Sequence, residues 1–155
     1  AELIDGQIYN MAPPSPLHQE LVMELSASLR NYIKKKGGNC KVYPAPFAVF
    51  IKDDDSNYVE PDINIVCDSN KISHRGCEGA PDFIIESSRK MDYSTKNTLY
   101  TDAGVREYWI VDPAKERTTV YRYEEDVAPV IIPFHDTLKL KIYEDFEICI
   151  DDLLK

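Results

Sequence analysis

Two short apolar runs with carboxylates at set places constrain this chain more than any other feature. The first is Val59-Glu60-Pro61-Asp62-Ile63-Asn64-Ile65-Val66 and the second is Pro81-Asp82-Phe83-Ile84-Ile85-Glu86. Short β-branched runs of this kind read as buried strands, expected over 58–67 and 82–86. Strand alternation puts Val59, Ile63 and Ile65 on one face, with Glu60, Asp62 and Asn64 on the other. It likewise separates Phe83 and Ile85 from Asp82, Ile84 and Glu86. If the two strands pair, Asp62 and Glu86 converge near one end of a sheet. Two carboxylates there are costly unless a positive group lies between them, and a divalent cation is the usual solution. A metal site is therefore expected.

At 155 residues the chain suffices for one packed domain, and no break in composition suggests two; we expect a single domain over 1–155. No apolar run approaches membrane-spanning length, and the first residues lack the basic and apolar regions of a signal peptide. A cytoplasmic protein with no membrane partner is expected. Cys40, Cys67, Cys77 and Cys149 make no close pair, so they read as reduced and structural. The net charge of −9 argues against strong nonspecific nucleic-acid binding. Two basic clusters soften that argument: Arg30 with Lys34, Lys35 and Lys36, and Arg89 with Lys90.

Along the chain, Asp5-Gly6 reads as the turn of an opening hairpin. Ser15-Pro16 is an N-cap followed by a first-turn proline, and starts a helix that should reach about Lys35 and stop at Gly37-Gly38. Its apolar stripe is Leu17, Leu21, Leu25 and Leu29. Lys41 to Ile51 reads as a strand with prolines at its start, Asp53 to Asn57 as an acidic turn, and Asp68 to Ala80 as a polar loop. A second helix is expected over Asp92 to Ala103, with Asp92 as N-cap and Asp92, Lys96 and Tyr100 along one side. Glu107 to Asp112 reads as a buried strand, Thr118 to Tyr123 pairs back on it, and 130–154 reads as short strands.

Asp62, Glu86 and Lys96 form the trio of chemical interest. Two carboxylates can hold Mg²⁺ or Mn²⁺, which activates water and neutralises a phosphoryl oxygen. A neighbouring lysine can orient or deprotonate that water and stabilise transition-state charge. The competing structural reading makes Asp62 a strand-end carboxylate and Lys96 a surface helix lysine.

These residues carry a resemblance. Glu2-Leu3-Ile4-Asp5-Gly6, Pro14-Ser15-Pro16 with His18-Gln19, Pro61-Asp62-Ile63, Phe83-Ile84-Ile85-Glu86, Lys96 with Leu99-Tyr100, and Gly104 to Pro113 occur in that order. In this order they resemble the Uma-two family of restriction-endonuclease-type proteins, within the PD-(D/E)XK nuclease superfamily. The resemblance runs from about Glu2 to Tyr123, and the Asp151-Asp152-Leu153-Leu154 ending is also similar. It implies an α/β (α+β) fold in which a mixed central sheet is flanked by helices. It also implies a Mg²⁺- or Mn²⁺-dependent DNA endonuclease with Asp62 and Glu86 as metal ligands and Lys96 assisting. His18, Gln19 and Tyr100 take supporting roles. The superfamily's usual lysine position, two residues after the glutamate, is here Ser88; in this family the lysine lies on the following helix, which matches Lys96. Glu20 and Glu24 are candidates for the superfamily's first-helix glutamate.

The chain departs from the family pattern after Glu86, where two apolar residues and Ser-Pro-Ser are replaced by Ser87-Ser88-Arg89. A true deletion there would shorten the strand and displace Lys96 from Glu86, so the expected reading is a mobile loop missing from this sequence rather than a deletion. The alternative function is a non-catalytic nucleic-acid-binding or protein-interaction domain that keeps the nuclease fold. Exposed sheet edges and superfamily habit suggest a homodimer.

Overall fold

The computed structural model describes residues 1–87 and 90–155. Its first elements are a hairpin of β1 (Glu2–Ile4) and β2 (Gln7–Tyr9), turning at Asp5-Gly6 with both residues at positive φ. Helix α1 (Pro16–Lys36) follows, capped by the Ser15 hydroxyl on the His18 amide and closed by Gly37 in the left-handed conformation. Then come β3 (Lys41–Pro44), β4 (Val49–Phe50), β5 (Ile63–Val66), β6 (Ile72–Ser73), β7 (Gly76–Glu78) and β8 (Phe83–Ser87). Helix α2 (Thr95–Ala103) leads to β9 (Glu107–Asp112), β10 (Arg117–Arg122), β11 (Val130–Pro133), β12 (Thr137–Leu140), β13 (Tyr143–Cys149) and α3 (Ile150–Leu153).

Six strands form the main sheet in the order β11-β10-β9-β8-β5-β3. Neighbours are antiparallel except β8 and β9, which run parallel and are joined through α2. The sheet is therefore mixed, and the expected fold class holds. Its faces follow the alternation read from the sequence. Ile63, Ile65, Phe83 and Ile85 join Trp109 and the α1 stripe in one core. Ile84 and Ile110 pack on the opposite face with Leu99 and Tyr100 of α2.

Several expectations are corrected. The strand expected over 58–67 is regular only from Ile63, because Pro61 has no amide to give a ladder. Val59 pairs alone with Val49 and packs in the α2-side core, away from Ile63 and Ile65. The strand expected over 41–51 breaks into β3 and β4 around a cis Ala45-Pro46 bond. The loop over 68–80 contains the β6–β7 hairpin, and β7 pairs in parallel with β4. Leu17 is 42% exposed and the buried stripe is instead Leu21, Leu25, Leu29 and Ile33. Residues 150–153 form a helix rather than strand.

The cysteine expectation is also overturned: Cys40 and Cys67 form a disulfide, while Cys77 and Cys149 are free. The cause is register. Lys41 pairs with Val66, so the residues just outside that pair face each other across two antiparallel strands. Nothing in a 27-residue separation reveals this. Among the described residues no helix is long and apolar enough to cross a membrane.

Candidate active site

The site lies where β5 and β8 meet α2 and the start of α1. Because Phe83 and Ile85 point to the α1 side, alternation turns Glu86 to the other face, beneath α2. Lys96 and Tyr100 are one turn apart on the buried side of α2 and reach the same carboxylate. Lys96 Nζ donates to Glu86 Oε1 at 2.7 Å, and the Tyr100 hydroxyl donates to Glu86 Oε2 at 2.9 Å. Tyr108 of β9 donates to that same oxygen at 3.4 Å.

Two further carboxylates surround the ammonium. Glu2, on the opening strand, has Oε1 at 2.9 Å from Lys96 Nζ, and its Oε2 accepts the Glu60 amide at 2.9 Å. Asp92 lies 3.9 Å from Lys96 Nζ. It is fully buried and does not cap α2, as the sequence had suggested; Ser94 holds that position, without a side-chain bond.

Asp62 adjoins this cluster through the backbone. Its Oδ2 accepts the Ser87 amide, next to Glu86, at 2.8 Å and lies 3.1 Å from His18 Nε2. His18 Nδ1 is 3.1 Å from Gln19 Oε1. Met11, Pro14, His18, Gln19, Pro46 and Asp62 line an adjoining cleft of about 270 Å³. The first turn of α1 stands past the apolar stripe, and for that reason presents His18 to Asp62 rather than to the core.

Burial governs the electrostatics. It raises the Glu86 pKa to about 8; Lys96 opposes the rise, while Asp92, Glu2 and Asp62 reinforce it. Burial alone would lower Lys96, but the charges of Glu86, Glu2 and Asp92 override it and hold the pKa above the usual lysine value. Lys96 is thus an ammonium that can orient groups and stabilise negative charge, and it is poorly suited to act as a base. Burial, and then the Glu86 charge, raises the Tyr100 and Tyr108 phenols well above their usual value, so both serve as donors.

The structure therefore brings Asp62, Glu86, Lys96, His18, Gln19 and Tyr100 into one neighbourhood. Glu20 and Glu24 are exposed; the further acidic groups that reach the cluster are Asp92 and Glu2, and Glu2 is not among the residues expected there from the sequence. A signal existed: on a short strand Glu2 shares its face with Ile4, and both are buried. The short stretch after Glu86 leaves Lys96 in place: its 2.7 Å contact with Glu86 is made, so the displacement that a deletion would bring is not seen. Ser88 and Arg89, the vacated lysine position and part of a basic cluster, lie outside the described residues.

The donor chemistry suits a hard cation, since three buried carboxylates (Glu2, Glu86, Asp92) face Lys96 and a fourth, Asp62, lies beside them. Their present arrangement is less complete. Among the described residues no three His, Cys, Asp or Glu side chains converge on one point, and both Glu86 oxygens are engaged by protein donors.

Comparison with known proteins agrees with this architecture. A family model described as "Uma2: Putative restriction endonuclease" matches residues 1–151. The fold is similar to the crystal structure of a protein from Anabaena variabilis ATCC 29413, titled a putative nuclease belonging to DUF820. The TM-score is 0.79 at 17% identity, over 98% of this chain and 88% of that one. No curated protein sequence matches. With its fold and nearly its whole length accounted for, the chain belongs to the Uma2 family.

Proposed function

We propose that this protein is a divalent-cation-dependent nuclease that hydrolyses phosphodiester bonds in DNA, with residues 1–155 acting as one domain. The observation that carries the reading is the meeting of Asp62, Glu86 and Lys96 at one end of β5 and β8, in a member of a family described by restriction endonucleases. Asp62 and Glu86 would hold Mg²⁺ or Mn²⁺, which supplies a more acidic water and neutralises charge on a phosphoryl oxygen. Lys96, kept protonated by its acidic neighbours, offers an ammonium to the oxygens that gain charge in the transition state. Glu2 positions that ammonium. Tyr100 orients the Glu86 carboxylate, while His18, itself braced by Gln19, orients Asp62.

One observation favours the rival, a fold retained without turnover: the Glu86 carboxylate is already satisfied by Lys96 and Tyr100. The two readings separate by calorimetric titration of Mn²⁺ and Mg²⁺, followed by cleavage assays on plasmid DNA. Asp62→Ala and Glu86→Ala are each expected to abolish both cation binding and cleavage. Cation binding indifferent to both substitutions, or none in the wild type, would sink the nuclease reading.

A further inference from the structure

The charge on this chain is segregated. Between Glu24 and Asp53 there is no acidic residue, yet this stretch holds Arg30, Lys34, Lys35, Lys36, Lys41 and Lys52, in a protein of net charge −9. The fold gathers part of it on one surface. Arg30 and Lys34 of α1 and Lys41 of β3 line a groove of about 480 Å³, with Gly37, Gly38 and Tyr43. All three cations are exposed, and among the described residues none makes an ion pair. Lys36, in contrast, is drawn away to Asp145 at 2.7 Å. Lysines at a helix end ordinarily counter the helix dipole. That accounts for Lys34 to Lys36, but not for Lys41 on a strand or for Arg30, more than a turn inside.

The groove and the cleft at the candidate active site are bordered by the same two stretches of chain. Helix α1 and the β3 segment border the groove at one end. At the other end the same two stretches, through His18 and Gln19 and through Ala45-Pro46, border the cleft at Asp62. β3 is the edge strand of this sheet, with no strand paired on its outer side among the described residues. From His18 to Arg30 and Lys34 is about 18 and 24 Å along the helix, at 1.5 Å per residue. One DNA strand spans that with roughly five to seven phosphates, at about 3.4 Å each.

We infer that the α1–β3 seam is a track for the phosphodiester backbone of substrate DNA, gripped by Arg30, Lys34 and Lys41 and leading to Asp62. The inference rests on the nuclease reading for its substrate, but its test does not. A labelled 20-base-pair duplex is titrated with the full chain in EDTA, across a range of salt, and binding is followed by anisotropy. Arg30→Gln, Lys34→Gln and Lys41→Gln are combined and compared with an equal-charge control of Lys115→Gln, Lys139→Gln and Lys155→Gln. Circular dichroism confirms that both variants fold.

The slope of log K against log salt should fall by about 0.9 per groove cation removed, close to three in all. The control should change it by less than one. Equal losses in the two variants, no duplex binding by the wild type, or binding of RNA but not DNA would overturn the track. Asp62→Ala separates the two proposals, because it should still bind DNA in EDTA while losing cleavage. Cleavage by the wild type with groove-independent binding would overturn the track alone. Groove-dependent binding without cleavage would support the track and overturn the nuclease reading.

Discussion

Replacing Lys96 by Met tests the electrostatic heart of the site, because methionine keeps most of the stem and removes only the ammonium. Lys96 is 1% exposed, and its charge faces Glu86 at 2.7 Å, Glu2 at 2.9 Å and Asp92 at 3.9 Å. Removing one partner of a buried ion pair costs about 3–5 kcal/mol, since the remaining charge is stranded in a poorly solvated place. Here several carboxylates are stranded together. For a chain of this size each kcal/mol moves Tm by about 2–4 °C, so a fall on the order of 6–20 °C is expected. Protonation relieves stranded carboxylates, so the loss should be larger at pH 8 than at pH 5. Adding Glu86→Gln removes one of those charges and should restore part of the stability. Thermal unfolding of the three proteins at both pH values gives the answer. A Lys96→Met protein within about 2 °C of wild type at pH 8 would refute the idea that Lys96 compensates buried charge.

Two other outcomes follow from the same structure. The folded pKa of Glu86, about 8, lies above its ordinary value of 4.5. Its contribution to stability is therefore fully present below about pH 4.5 and is lost as pH rises through 8. A cation at Glu86 must displace the same proton, so Mn²⁺ affinity should rise through pH 8 with proton release. Calorimetry in buffers of different ionisation enthalpy checks this, and pH-independent affinity would contradict it. The Cys40–Cys67 bond closes a loop over a 27-residue separation. The chain-entropy relation makes this worth about 3–4 kcal/mol. Cys40→Ser should lower the urea midpoint accordingly, whereas four free thiols in the oxidised protein would remove the premise.

Much of the fold was legible because its signals are local. The Ser15-Pro16 start and Gly37 end of α1 are encoded in a few adjacent residues, and so are the Asp5-Gly6 turn and the alternation of Phe83, Ile84, Ile85 and Glu86. Periodicity also placed Lys96 and Tyr100 on one helix face, and the strand pattern let Asp62 and Glu86 converge. What could not be read depends on register and on distant contacts. Cys40 meets Cys67 only because Lys41 pairs with Val66. Asp92 resembles an N-cap in sequence but is held as a buried counter-charge to Lys96. Glu2 enters the site because the opening hairpin bonds to Tyr58 and Glu60, more than fifty residues away.

The sequence by itself determined which residues could carry the chemistry, since strand and helix periods assign faces without knowledge of neighbours. Only the tertiary structure decided their charge states and alliances. It buried Lys96 among Glu2, Glu86 and Asp92, and so made the lysine a fixed cation rather than a base. It also set the cations of α1 and β3 along one groove, where a chain of net charge −9 presents a local positive surface. The reason is that burial and through-space charge are properties of packed neighbours, and the linear order of residues does not contain them.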